Sequence, residues 1–292
     1  MAQTKENIYA NPLTSYGTTR DTQPFIGKNR YIYGNFHEMT KLTFLGTGTS
    51  QGVPVISCGC WVCTSPDARD KRLRTAALIE QNGVVLVIDA GPDFRQQMLR
   101  EDVRHIDGIL LTHGHKDHVG GLDDVRAFNY TSKAAVDIYA EERVQQVIRK
   151  DFDYAFGEHK YPGVPEINLH TIDEEPFQIK GVEIIPIRGM HYKLPVLGFR
   201  IGEIAYLTDF NSISAQEIEK IKGVDTLVIN ALRKEPHLSH FTLDEALYVS
   251  YLVGPRHTYL THVSHQMGRY AQEDPQLPAN CHFAYDGLVI EA

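Results

Sequence analysis

Long apolar runs are missing from this 292-residue chain. Its longest purely aliphatic stretch, Val84 to Ile88, is far short of the roughly 20 residues that cross a bilayer, which excludes a membrane-spanning helix. Cysteine is scarce: there are four, with Cys58, Cys60 and Cys63 crowded together and Cys281 remote. That is no basis for a disulfide framework and fits metal binding in a reducing compartment better. Positive charge is not in excess either, the formal net charge being -8, which argues against broad attraction to nucleic acid. The opening residues, MAQTKENIYANPLTS, lack a basic start followed by an apolar core, so no secretory leader is expected. The expectation is a globular cytoplasmic protein acting on a small molecule, with no membrane partner and nucleic acid disfavoured. A homodimer is compatible with it.

Residues 1–38 are polar and without periodicity, and read as an N-terminal extension. From Thr40 the chain turns abruptly to KLTFLG, and residues 39–292 read as one domain of alternating strands and helices. Strands are expected near 41–45, 75–80, 84–88, 106–111, 135–140, 166–171, 182–187, 196–201, 203–208, 224–230 and 257–261. Helices are expected near 92–102, 119–129, 141–150, 214–222 and 242–252. Thr242 followed by Glu245 forms a capping box that marks where the last helix begins. So many strands with so few helices pack economically as two sheets with helices outside them. The fold class is therefore α/β, a four-layer αββα sandwich.

The densest chemistry is His113-Gly114-His115-Lys116-Asp117-His118, four potential ligands in six residues directly after the apolar run IDGILL. On an extended backbone His113 and His115 project to one side. The following turn, with Gly120 and Gly121 at the head of a helix, can swing Asp117 and His118 toward a second point. Two imidazoles for one ion and a carboxylate plus imidazole for another make a two-metal layout. Further candidates end later strands: His191 in RGMHYKLP, Asp209 in AYLTDF and His262 in TYLTHVSH. A carboxylate such as Asp209 could bridge two ions about 3.5–4 Å apart.

The order H-x-H-x-D-H, then His, Asp and His, resembles the metallo-β-lactamase superfamily over residues 41–290. The resemblance implies that His113, His115 and His191 hold one metal, Asp117, His118 and His262 a second, and that Asp209 bridges them, with Mn or Zn as the ions. Asp117 is assigned a catalytic as well as a ligating part.

Cys58, Cys60 and Cys63 supply three thiols, one short of a closed zinc tetrahedron, and His265, three residues beyond His262, can supply the fourth ligand. Ordinary reduced thiols in a turn are the alternative. A cysteine cluster after FLGTGTSQGVP, with H-x-x-H at the last ligand, is similar to the PhnP phosphodiesterases, which implies a structural zinc here and a ribosyl 1,2-cyclic phosphate as substrate class. His240, in HLSHFT, matches a histidine that the resemblance makes a general acid. Asp89 reads as a carboxylate orienting a ligand histidine, with a helix cap as the competing role. Gly46 to Gly52 reads as a tight turn beside the site, its N–H groups able to face a phosphate. Arg188, Lys193, Arg233 and Lys234 could bind a second phosphate. His37, His105, His159, His170, His237, His257 and His282 receive no role. The leading function is a dinuclear metal-dependent phosphodiesterase for a small cyclic or nucleotide-like diester. The alternatives are a tRNase Z-like tRNA 3′-processing endonuclease and a non-catalytic nucleotide-binding protein.

Overall fold

Apolar residues alternate along several strands so that a single strand faces two different cores. In β3 (Val84–Ile88), Val84, Leu86 and Ile88 enter one cluster and Val87 another, the two-residue period of a pleated strand buried on both faces. The structure, a computed structural model, describes residues 39–157 and 161–292. All of these fall in one unit, His37–Ala292, and the extension expected over residues 1–38 lies outside the described residues.

The first sheet takes β1 (Lys41–Gly46), β2 (Ala76–Gln81), β3, β4 (Gly108–Leu110), β5 (Val136–Ala140) and β6 (Ile167–Thr171) in order. The second is built from β7 (Phe177–Ile179), β8 (Val182–His191), β9 (Leu194–Ile201), β10 (Ile204–Leu207), β11 (Ser212–Ile213), β12 (Thr226–Asn230), β13 (His257–Thr261) and β14 (Cys281–Phe283). Its order is β11-β8-β9-β10-β12-β13-β14, with β7 paired to β8. A final strand, β15 (Val289–Glu291), returns to pair with β1.

Three cores separate four layers. Leu42, Phe44, Leu86, Phe199, Tyr206 and Val228 fill the space between the sheets. Helices α1 (Phe94–Arg100), α2 (Lys116–Val119), α3 (Arg126–Ser132), α4 (Glu142–Asp151) and α5 (Asp153–Phe156) lie in the first half of the chain. Phe94, Met98, Val144 and Ile148 from α1 and α4 pack with Leu78, Val87 and Ile109 of the first sheet. On the second sheet, α6 (Ala215–Ile221) and α7 (Leu243–Val253) bury Ile218, Ile221, Ala246 and Val249 against Ala205, Leu227 and Ile229. This is the αββα sandwich. The capping box forms as expected, Thr242 accepting from the Glu245 N–H while the Glu245 carboxylate accepts from the Thr242 N–H.

The expected helix over 119–129 is corrected. Gly120 ends the single turn of α2, a 3-10 turn follows at Leu122–Val125, and α3 begins only at Arg126. The chain bends there to press on Gly91: a Cβ on Gly91 would lie 1.9 Å from the Asp117 carbonyl oxygen, and one on Gly121 would lie 2.0 Å from the Gly91 carbonyl oxygen. Glycine allows this approach, and the approach places Asp117. The short strands β7, β11, β14 and β15 escaped the sequence reading because two or three residues show no period.

Parallel pairing then brings the strand ends together. β3 and β4 run parallel in one sheet, and β10, β12 and β13 run parallel in the other. Their C-terminal ends carry Asp89, the 113–118 loop, Asp209 and His262, gathered on one rim as ligand-bearing loops are in open α/β sheets.

Candidate metal centre

Three of the residues that leave these strand ends, Asp89, Asp209 and His262, have φ of 66°, 63° and 54°. A left-handed backbone at non-glycine residues costs free energy and is concentrated at functional sites. Here it turns each side chain back toward the rim as the strand stops.

The 113–118 loop is anchored from below. Asp89 is fully buried; its carboxylate accepts the Thr112 N–H at 2.9 Å and the Thr112 hydroxyl at 2.9 Å. The same carboxylate accepts from His118 Nδ1 at 2.6 Å, which leaves Nε2 of His118 with its lone pair free. That atom lies 3.2 Å from Asp209 and 3.3 Å from Asp117. His262 Nε2 lies 3.2 Å from Asp209. His113, His115 and His191 form the second group, with ring centroids 4.6, 5.5 and 5.1 Å apart. His191 donates through Nδ1 to the Asp209 carbonyl at 3.0 Å, which fixes its tautomer. All seven residues proposed from the sequence are thus brought together in two groups, His113/His115/His191 and Asp117/His118/Asp209/His262. Asp209 also comes within 4.8 Å of His191 and His240, so it faces both.

Buried imidazole atoms in this cluster have no hydrogen-bond partner: Nε2 of His113, His118 and His262. Such atoms are normally paired. Ligand atoms about 2.0–2.1 Å from one tetrahedral ion stand about 3.4 Å apart, and the 3.2–3.3 Å separations here match. The cluster fits divalent ions. Its electrostatics agree, because three largely buried carboxylates call for positive charge. Burial alone would raise Asp209, but His262 and His118 outweigh it and hold the carboxyl well below the usual range. Burial would lower His262, yet Asp209 lifts it to about 9.

The Cys/His group is smaller and local. Cys58, Cys60 and Cys63 place their sulfurs 3.4, 3.3 and 3.5 Å from Nδ1 of His265. A zinc ion with bonds of about 2.3 Å to sulfur and 2.0 Å to nitrogen requires about 3.5 Å between them. The Cys63 N–H, at 3.4 Å, contributes most to holding the Cys60 thiol down, to about 6. Arg269 donates to the Trp61 carbonyl at 2.9 Å and lies 4.9 Å over its ring, tying the cysteine loop to the segment after His265.

Other expectations meet mixed outcomes. Asp89 is not a helix cap; Asp93 occupies the position before α1. The N–H groups of Gly48, Thr49 and Gly52 are not available to a phosphate, since they bond to Leu73, Val263 and Thr49 carbonyls. The loop instead braces the strand end that carries His262. Arg188 is held by Glu141 and Glu174, Lys234 by Glu273, and Arg233 by Gln266, so these three are already engaged. His240 is buried, its ring 4.7 Å from that of His262 and 4.6 Å from that of His191, and burial pushes it down to about 2. Thr112 and Asn211, which position the loops, carried no signal in the sequence: each is an ordinary polar residue until its partner is known.

The sequence model of the beta-lactamase superfamily domain matches residues 85–263. The chain belongs to the metallo-β-lactamase superfamily. Within that superfamily it is similar to a diphosphatase of the PhnP family known from its crystal structure, at 40% identity and TM-score 0.82, covering 87% of this chain and 97% of that one. Human tRNase Z, short form, matches at TM-score 0.62 and 21% identity over 86% of this chain and 98% of that one, a likeness of fold alone. The octanoyltransferase of Porphyromonas gingivalis is 43% identical over 247 residues, 84% of this chain and 50% of that protein. The chain spans half or less of the length of curated relatives such as this one and the coenzyme PQQ synthesis protein B of Rhodopseudomonas palustris. No helix among the described residues is long and apolar enough to cross a membrane.

Proposed function

We propose that this metallo-β-lactamase superfamily chain is a phosphodiesterase with a dinuclear centre of Mn or Zn, acting on a small cyclic or nucleotide-like diester of the ribosyl 1,2-cyclic phosphate class. The observation that carries the reading is Asp209, one carboxylate facing both ligand groups. His113, His115 and His191 would hold one ion, Asp117, His118 and His262 the other, and Asp209 would bridge them. Bound there, two divalent ions supply hydroxide near neutral pH and offset the charge that builds on phosphoryl oxygens. The likeness to the PhnP-family diphosphatase supports phosphorus as the centre attacked.

The protein's own groups do the rest. Asp89 holds His118 in one tautomer and one orientation. Asp117, largely buried and held below the usual carboxylate range by His118 against the cost of burial, stays an acceptor and orients the attacking water. His240 stands beside the centre as general acid. Burial keeps its imidazole neutral in the free protein, and an arriving phosphodiester anion favours its protonated form, ready to give a proton to the leaving alkoxide.

Cys58, Cys60, Cys63 and His265 would hold a structural zinc that secures the 58–63 loop beside the pocket. Thiols used this way suit a reducing compartment, which supports the cytoplasm. The test is metal analysis joined to a substrate panel. The chain should hold about three metals, two in the Asp209-linked groups and one in the Cys/His group, the last resistant to mild chelation. It should cleave bis(p-nitrophenyl) phosphate and cyclic ribosyl phosphates with Mn or Zn. Folded protein that takes up no metal overturns the reading, and cleavage of precursor tRNA alone moves it to the tRNase Z alternative.

A further inference from the structure

The turn between β8 and β9 has two residues, Tyr192 and Lys193, because His191 pairs directly with Leu194. Its first position has φ of 57°, and in two-residue hairpins a positive φ at that position selects glycine. This chain places tyrosine there. The ring is not used for the core: Tyr192 is 48% exposed, with Lys193 Nζ 5.3 Å from its centroid and no carboxylate paired to that lysine among the described residues. A strained backbone that keeps an exposed aromatic ring beside a candidate catalytic centre points to work done by the ring.

Its surroundings indicate what that work is. Asn211 accepts the Tyr192 N–H at 2.9 Å and donates to the Leu238 carbonyl at 3.0 Å, so one amide side chain links the turn to the loop bearing His237 and His240. Leu238 is 66% exposed. From the buried centre a row of imidazoles leads outward, His262 to His240 at 4.7 Å and His240 to the exposed His237 at 5.1 Å. His237 Nδ1 accepts the Ser239 N–H at 3.4 Å, so its proton sits on Nε2. A leaving group protonated by His240 would emerge along this row, on the loop that Asn211 ties to the Tyr192 turn.

We propose that Tyr192 is a specificity-determining platform on which the aromatic base of a nucleotide leaving group stacks, beside the loop of Leu238 and His237 to which Asn211 ties its turn. The proposal rests on the phosphodiesterase reading and selects the nucleotide-like arm of its substrate class. Stacking of a base on an aromatic side chain is commonly worth about tenfold or more in affinity.

The test uses the metal-reconstituted full chain and two product-like probes, adenosine 5′-phosphate and ribose 5-phosphate, with dissociation constants from calorimetry. Wild type should bind the adenosine compound about tenfold more tightly. Tyr192→Gly should erase that preference, leave ribose 5-phosphate binding in place, and keep or raise Tm, because glycine relieves the turn. Tyr192→Phe should retain the preference. Equal binding of the two probes by wild type, or equal weakening of both in Tyr192→Gly, overturns the proposal, as does a lowered Tm with the preference intact. Wild-type hydrolysis of bis(p-nitrophenyl) phosphate separates the failures: if it persists only the platform is lost, and if it is absent the phosphodiesterase reading falls first.

Discussion

The two ligand clusters lie only three residues apart at His262 and His265, yet they are built on opposite plans. The larger draws seven residues from four places between 113 and 262, mixes imidazoles with carboxylates, and leaves His115 exposed among otherwise buried or partly buried ligands. The smaller takes three thiols from one short loop and one imidazole, and with four ligands a tetrahedral ion is saturated. A site assembled from both sheets keeps room for substrate. One assembled from a loop and a single anchor has no remaining position and can only hold the loop. The contrast teaches that ligand number and origin, more than proximity, divide chemistry from support.

Substitutions in each cluster should therefore fail in different ways. His118→Ala should abolish hydrolysis of bis(p-nitrophenyl) phosphate while the chelation-resistant metal remains, seen by paired assays of rate and metal content; loss of both together would dissolve the distinction. Cys60→Ser should do the reverse, releasing that one metal and lowering Tm. Structural zinc in small modules contributes on the order of 10 kcal/mol, and this larger fold should feel a fraction of it, with most activity per folded molecule retained.

Smaller effects sharpen the catalytic side. His240→Ala should slow diesters with alkoxide leaving groups about 100-fold or more, the ordinary scale of general acid catalysis, and p-nitrophenyl esters far less. Equal slowing for both would take the proton-donor role from His240. Asp89→Asn should keep the fold but weaken active-site metal binding about 10- to 100-fold, as loss of a partner behind a ligand histidine does, measurable by competition with a chelator.

The smallest effect lies away from both clusters. Asp107 is buried and bonded to Lys180 at 2.5 Å, to His105 at 2.8 Å and to the Val85 N–H at 2.8 Å. Burial would raise its carboxyl, but Lys180 and the other donors outweigh it and hold it below the ordinary value. A depressed carboxylate stabilises the fold above its unfolded pKa of about 3.9 and loses that contribution as pH falls through its folded value. Lys180 is well exposed, so Lys180→Ala should cost at most about 1 kcal/mol at pH 7. Denaturation at a series of pH values should show the deficit shrinking below about pH 4.

Much of the candidate centre was legible because its chemistry is local. Four ligands in six residues, and three thiols in six more, are patterns that neither a core nor a solvated face requires. Strand ends were legible wherever a run of four or more strand-forming residues preceded them, which placed His191, Asp209 and His262. The break at Gly120 was not, since a run of residues compatible with helix cannot reveal that Gly91, in the loop after β3, presses against it. The engagement of Arg188 by Glu141 was equally hidden, because 47 positions separate them.

By itself the sequence determined the layers, through the two-residue period of its strands, and singled out the candidate metal-binding side chains, through residue type and spacing. Only the tertiary structure decided which histidines share a site, that Asp209 faces both groups, that Asp89 sets the tautomer of His118, and that a tyrosine occupies a turn suited to glycine beside the rim. The physical reason is that periodicity and ligand chemistry reside in neighbouring residues, whereas shared coordination, hydrogen-bond partnership and backbone strain exist only when distant strands end at the same place.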